Sequence, residues 1–157
     1  GTGHHATTWL MIHQMSQLDF AGKTVLDFGT GTGVLAILAE KLGADTITAI
    51  DNDDWSIENA KENLDLNHSF RVLLQKAGDL SGYSSFDIIL ANINKHVLLD
   101  QMQAIKQHLD KHGVVIFSGL LVGDRDELIE QAEFHSLSFH GAQEKDNWIR
   151  LAFKHKA

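Results

Sequence analysis

Three glycines at alternate positions, Gly29, Gly31 and Gly33, constrain this chain more than any other feature. Before them, Thr24 to Phe28 is apolar and β-branched, as a buried strand requires. After them, Val34 to Leu42 is rich in Ala and Leu and predicts a helix. A strand that turns sharply into a helix needs backbone without a Cβ, and the same bareness lets a ligand approach the main chain. Gly43 stands where a left-handed helix terminus is wanted. Thr46 to Ile50 then supplies a second buried strand with Asp51 at its carboxyl end. The segment Lys23 to Asp51 is therefore a strand, glycine turn, helix and strand, arranged to hold a bound molecule.

Two nucleotide-type ligands use such a turn. A dinucleotide site asks for G-x-G-x-x-G/A with an acid about 20 residues on, and Gly31, Gly33, Ala36 and Asp51 nearly meet it. Asp27 points the other way, because an acid just before the glycines would repel a pyrophosphate. S-adenosylmethionine (SAM) carries an ammonium and a sulfonium, so Asp27 is expected to orient its methionine part, directly or through water. Asp51 is expected to accept both ribose hydroxyls, since an ionised carboxylate is acceptor-only with two oxygens. Gly29, Gly31 and Asn52, the residue after Asp51, complete this cofactor-binding set. The plainer alternative is that Asp27 caps the turn and Asp51 the following helix, and a dehydrogenase stays open on the glycines alone.

At 157 residues the chain fits one domain, residues 1–157. Hydrophobic residues at 43% and charged residues at 22% exclude a disordered composition. No apolar run approaches the about 18 residues of a membrane span and no signal-peptide pattern opens the chain, so a cytoplasmic protein is expected. With no cysteine there is no disulfide framework, thiolate zinc site or cysteine nucleophile. Thirteen Lys and Arg against 21 Asp and Glu, a net charge of -8, argue against a wide phosphate-binding face and for a basic partner. With no proline, turns rest on Gly, Asn, Asp and Ser.

Upstream, Gly1 to Thr8 reads GTGHHATT, a loop or interface, with Thr8 expected to cap a helix to Leu18 that puts Met11, Met15 and Leu18 on one face. His4 and His5 could be a fragment of an expression tag, though two is short for one, and neither receives a catalytic role. Asn52 to Leu66 predicts a helix with Ile57, Ala60 and Leu64 inward. Val72 to Leu74 is a short third strand. In the polar loop Lys76 to Ser85, Asp79 either accepts from an adenine amine or simply shapes a turn. Phe86 to Ala91 is a fourth strand that delivers Asn92 to its end. Leu98, Met102, Ile105 and Leu109 follow at helical spacing, and Gly113 closes that helix. Val114 to Ser118 is a fifth strand, Asp124 and Glu127 form a capping-box pattern before a helix through Phe134, and Leu137 to Gly141 with Trp148 to Lys154 make a terminal hairpin. There Ile149, Leu151 and Phe153 face inward, alternating with Arg150 and Ala152.

Strands alternating with helices imply an α/β, doubly wound parallel sheet whose ligands bind at the carboxyl ends of the strands, bringing Gly29, Asp51 and Asn92 to one edge. His108 and His112, four apart, lack a third ligand, so no metal is expected. Trp55 and Trp148 are read as packing residues. There is no nucleophile elbow and no P-loop lysine.

Asp-Phe-Gly-Thr-Gly-Thr-Gly with Asp51 resembles the SAM motif of class I methyltransferases. Together with GTGHHATT, Ala91-Asn92-Ile93 and Asn147-Trp148, it is similar to the PrmA family, methyltransferases of ribosomal protein eleven of the large subunit. The resemblance spans the whole chain. It implies a Rossmann-like sheet of seven strands in the order 3-2-1-4-5-7-6, strand seven antiparallel, and SAM contacts at Thr8, Gly29, Asp51 and Asn92, with S-adenosylhomocysteine as product. Ala6 stands where the family often has proline. The family also carries an amino-terminal domain that recognises the ribosomal protein, and this chain begins within the catalytic motif. It is therefore expected to be an excised catalytic domain or a shorter relative.

Methyl transfer to an amine needs the lone pair aligned and the pocket dry, since a lysine amine has a reference pKa of about 10.4. Asn92 is the catalytic candidate, its carboxamide oxygen holding the amine's hydrogens; alternatively it begins a helix or only contacts SAM. The partner is ribosomal protein eleven if a recognition domain precedes Gly1, and otherwise a small-molecule acceptor, with neither nucleic acid nor membrane involved. A module that binds SAM or a nucleotide without turnover is the remaining alternative.

Overall fold

A computed structural model of the chain describes residues 4–156. The elements are α1 (His4–Met15), β1 (Thr24–Phe28), α2 (Val34–Lys41), β2 (Thr46–Asp51), α3 (Asp54–Leu66), β3 (Val72–Lys76), β4 (Phe86–Asn92), α4 (Lys95–His108), β5 (Leu109–Leu121), a 3-10 turn (Val122–Asp124), α5 (Arg125–Phe134), β6 (Leu137–Lys145) and β7 (Trp148–His155). They form one seven-stranded sheet in the order β3-β2-β1-β4-β5-β7-β6. β1 to β5 pair in parallel, and β7 runs antiparallel to both β5 and β6. This is the doubly wound sheet expected.

Both faces of the sheet are covered, which is why its central strands are apolar throughout. On one face Met11 and Met15 of α1 and Leu35, Ala36 and Ala39 of α2 pack against Val25, Ile47, Ala49, Ile88, Leu90 and Ile116. On the other, Leu98, Met102 and Ile105 of α4 and Leu128 and Ala132 of α5 pack against Leu26, Phe28, Ile89, Phe117, Leu151 and Phe153. Each β1 side chain thus goes alternately to one core or the other. Asp27 falls on the α2 side, with no exposure at all.

Several expectations are corrected. Thr8 lies inside α1, so it caps nothing; Gly1–Gly3, the start of the expected loop, lie outside the described residues. Helix α4 ends at His108, and Leu109 already pairs with Phe86 of β4. Gly113 therefore does not close a helix: it sits in β5 at a register shift, where a Cβ would stand 2.6 Å from the Asp87 carbonyl oxygen. His108 and His112 consequently share no helical face. The Asp124–Glu127 capping box does not form, because the Asp124 carboxylate accepts instead from Leu121 N (3.0 Å) and Lys95 Nζ (3.4 Å), and Glu127 pairs with Lys95 (2.7 Å). Arg150 and Ala152 are buried like their neighbours, because α1 covers the second face of β7. Trp55 is 72% exposed and packs against no core. The hairpin turn Asp146–Asn147 has positive φ at both residues (51° and 70°), as a two-residue turn between twisted strands requires.

Candidate functional site

Parallel pairing sets the site. Phe28 lies level with Ile50 of β2 and Ala91 of β4, so the next residues of all three strands emerge together at one edge. β1 ends in Gly29 (φ 80°), whose N–H, like that of Thr30, donates to the Ile50 carbonyl (both 2.9 Å). This turns the chain back over β2. Gly31 (φ 57°) then donates its N–H to Asp51 Oδ2 (2.9 Å), while Asp51 Oδ1 accepts from Asp53 N (3.0 Å). The Asp51 carboxylate is thereby fixed in orientation by two backbone donors and keeps lone pairs for a ligand. Gly33 (φ 84°) starts α2, and a Cβ there would meet Ala60 Cβ at 3.3 Å, so the third glycine serves the close packing of α2 on α3.

Around these tips lies a cavity of about 270 Å³, lined by Phe28 and Gly29 from β1, Asp51 and Asn52 from β2, Ala77 and Gly78 after β3, and Asn92, Ile93, Asn94 and Val97 from β4 and the start of α4. The described lining residues include no Lys or Arg. One carboxylate, three carboxamides and an apolar flank suit a ligand bearing hydroxyls and positive charge; a diphosphate would find no cationic partner. Beneath the glycine turn, Asp27 Oδ2 accepts from Thr30 Oγ1 (2.7 Å). Burial pushes the Asp27 carboxyl up to about 6; the Thr30 hydroxyl and the Ala36 N–H pull it down, and the Asp51 charge adds to the rise.

Comparison with known proteins gives this geometry a family. The model of the ribosomal protein L11 methyltransferase (PrmA) family matches residues 1–156. The chain belongs to the PrmA family. A ribosomal protein L11 methyltransferase from Porphyromonas gingivalis is 44% identical over 98% of this chain and 53% of its own length. The chain spans about half the length of the curated relatives it matches. The crystal structure of a ribosomal protein L11 methylase from Lactobacillus delbrueckii subsp. bulgaricus is 36% identical and superposes with a TM-score of 0.94 over 99% of this chain and 81% of that one. A precorrin-6y C5,15-methyltransferase from Geobacter metallireducens, 17% identical with a TM-score of 0.79 over 94% of this chain and 87% of that one, shares the fold.

Of the residues singled out in this PrmA-family sequence, the structure brings Gly29, Asp51, Asn52 and Asn92 to the cavity wall, with Gly31 and Asp27 directly behind it. Thr8, half-buried in α1, does not line the cavity. Nor does Asp79, whose carboxylate accepts from Ser81 N (3.0 Å); that hydrogen bond holds it below the usual carboxylate range. The plainer reading of Asp79, turn chemistry, is the one this contact describes. The loop Lys76 to Ser85, expected to grip adenine, does reach the wall, through Ala77 and Gly78 rather than Asp79; sequence reasoning missed Val97 and placed Asn94 only in a loop. Asn94 caps α4, accepting from Val97 N (3.0 Å).

Proposed function

We propose that this chain is the catalytic domain of a SAM-dependent N-methyltransferase acting on amino groups of ribosomal protein L11. The observation that supports this most is a cavity walled by carboxylate and carboxamide, without a cation among the described lining residues, in a member of the PrmA family. The cytoplasm is the proposed location.

In this reading the Asp51 carboxylate, oriented by Gly31 and Asp53, accepts the ribose hydroxyls, and Asn52 borders the same pocket. Gly29 leaves room for the ligand at the tip of β1, and Asp27 beneath it supplies negative charge toward the cationic methionine part. When bound, the sulfonium donor supplies an electrophilic methyl group, so the chain needs no covalent nucleophile. The acceptor amine must lose its proton, and Phe28, Ile93 and Val97 disfavour the charged form by excluding water. The Asn92 carboxamide oxygen accepts hydrogen bonds from the neutral amine and aims its lone pair, so the rate comes from orientation and desolvation.

Incubation with methyl-labelled SAM and purified ribosomal protein L11, in parallel with a panel of small amines and metabolites, tests this. Label is expected in the protein. Label confined to small molecules would overturn the acceptor assignment, and calorimetry showing no SAM binding would overturn the whole reading.

A further inference from the structure

The carboxamide of Asn92, at the end of β4, has the backbone of the neighbouring strand beside it. Asn92 pairs with Ser118 of the neighbouring strand β5, and immediately afterwards β5 carries a bulge. Phe117 pairs with Leu151 and Leu120 with Ile149, so Ser118 and Gly119 together oppose the single residue Arg150. Gly119 takes φ 80°, a conformation that L side chains rarely adopt. A Cβ built there would lie 2.9 Å from Asn92 Oδ1 and 3.2 Å from the Ile93 carbonyl oxygen. On the other flank, a Cβ at Gly29 would lie 2.5 Å from Ile93 Cγ2 and 3.4 Å from the Asn92 carbonyl oxygen. The tip of β4 is thus clasped between two left-handed glycines, one from each neighbouring strand. Bulges next to sites re-aim side chains, and an isolated glycine in a strand marks close backbone approach.

We infer that Gly119 is a positioning residue for methyl transfer: its missing side chain lets the β5 bulge lie against the Asn92 carboxamide and fix the direction in which that group faces the cavity. This rests on the proposed role of Asn92 toward the acceptor amine. Of the two atoms a Cβ would crowd, the Ile93 oxygen is backbone at 3.2 Å, whereas Asn92 Oδ1, nearer at 2.9 Å, is the far end of a flexible side chain. The Asn92 side chain is the part that must swing, so the damage falls on orientation rather than on the SAM-facing carboxylates.

Gly119→Ala is compared with Gly22→Ala. Gly22 has φ 71° and no atom within 4 Å of its built Cβ, so alanine there meets similar backbone strain without a collision. With purified ribosomal protein L11 as acceptor, Gly119→Ala is expected to lower kcat roughly tenfold to a hundredfold. Its SAM affinity by calorimetry should stay close to that of the parent, and Gly22→Ala should keep kcat. In an Asn92→Ala background the Gly119 change should have no further effect, because it acts through that side chain. Equal loss of kcat and SAM affinity, or an undiminished effect in the Asn92→Ala background, overturns the inference. If Asn92→Ala itself keeps full turnover, the role of Asn92 fails and this inference fails with it. Should Gly119→Ala not fold, Gly119→Asn carries the same Cβ with better tolerance of positive φ. The Asn92 side-chain amide resonances, assigned from their loss in Asn92→Ala, give a readout independent of any acceptor. They should move in the Gly119 variants and not in Gly22→Ala; unmoved resonances overturn the inference.

Discussion

At the scale of single residues, the proposed roles divide between groups that hold and groups that orient. Asp51 is fixed by two backbone N–H donors and faces the cavity, so Asp51→Ala should weaken SAM binding at least about tenfold, the loss of one to two charge-assisted hydrogen bonds. Asn92→Ala should instead reduce turnover more than affinity. Calorimetry beside steady-state kinetics separates the two, and equal losses in the Asn92 variant would remove its acceptor role. Asp27 adds a pH dependence whose sign follows from its raised pKa. In the unfolded chain the carboxyl titrates near 3.8, in the fold near 6, so between those values the native state binds the extra proton. Asp27 therefore burdens the fold fully above pH about 6 and not at all below about 3.8. Asp27→Asn should stabilise the fold at neutral pH by on the order of 2–3 kcal/mol before relaxation, read as a raised thermal midpoint, and the gain should fade as pH falls through that window. SAM affinity of the parent should drop over the same interval as the carboxyl takes its proton. A midpoint difference independent of pH would show that Asp27 does not titrate in this way.

At the scale of elements, the sharpest test is the irregular start of β5. Gly113 lets β5 approach β4, and a Cβ there would meet the Asp87 carbonyl oxygen at 2.6 Å and Leu109 Cδ1 at 2.8 Å. Gly113→Ala should destabilise the protein by about 1–3 kcal/mol through overpacking. Its SAM affinity should be retained, because Gly113 lies at the amino end of the strand and the cavity at the carboxyl end. A denaturant melt of unchanged midpoint would refute this. The same region shows where the sequence was readable. Strand, glycine turn and helix around Gly29 were legible because glycine placement and apolar runs are local signals, and the sheet order followed from the family resemblance. The end of α4 was not: Leu109 continues the helical spacing of Leu98, Met102 and Ile105 yet is buried as the first residue of β5, so periodicity alone cannot tell the two. Asp124 and Glu127 carry a local capping pattern, but Lys95 from α4 and the Leu121 N–H compete for them across the tertiary structure. Arg150 looked outward because charge implies water, whereas α1 covers that face. In the site, strand tips were legible and Gly119 was not, since its importance lies in what a neighbouring strand places beside it.

At the scale of the whole molecule, charge decides what approaches. With 21 acids against 13 Lys and Arg, the net charge of -8 repels a polyanion and draws a basic protein, and this attraction acts over distances that salt screens. The contacts within the cavity respond differently. Asp27 is wholly buried and Asp51 half-buried, where mobile ions screen less than at an open surface. The two ligands of the proposed enzyme should therefore differ in salt response. Raising KCl from ~20 to ~200 mM, which shortens the Debye length from roughly 20 to 7 Å, should raise the KM for a basic protein acceptor several-fold and slow its association in stopped-flow mixing. The SAM dissociation constant should move much less over the same range. Parallel salt dependence of both ligands would mean that the long-range field plays no selective part. Tight binding of a double-stranded RNA fragment at ~100 mM salt would contradict the charge argument outright, since neutralising phosphates takes clustered Lys and Arg.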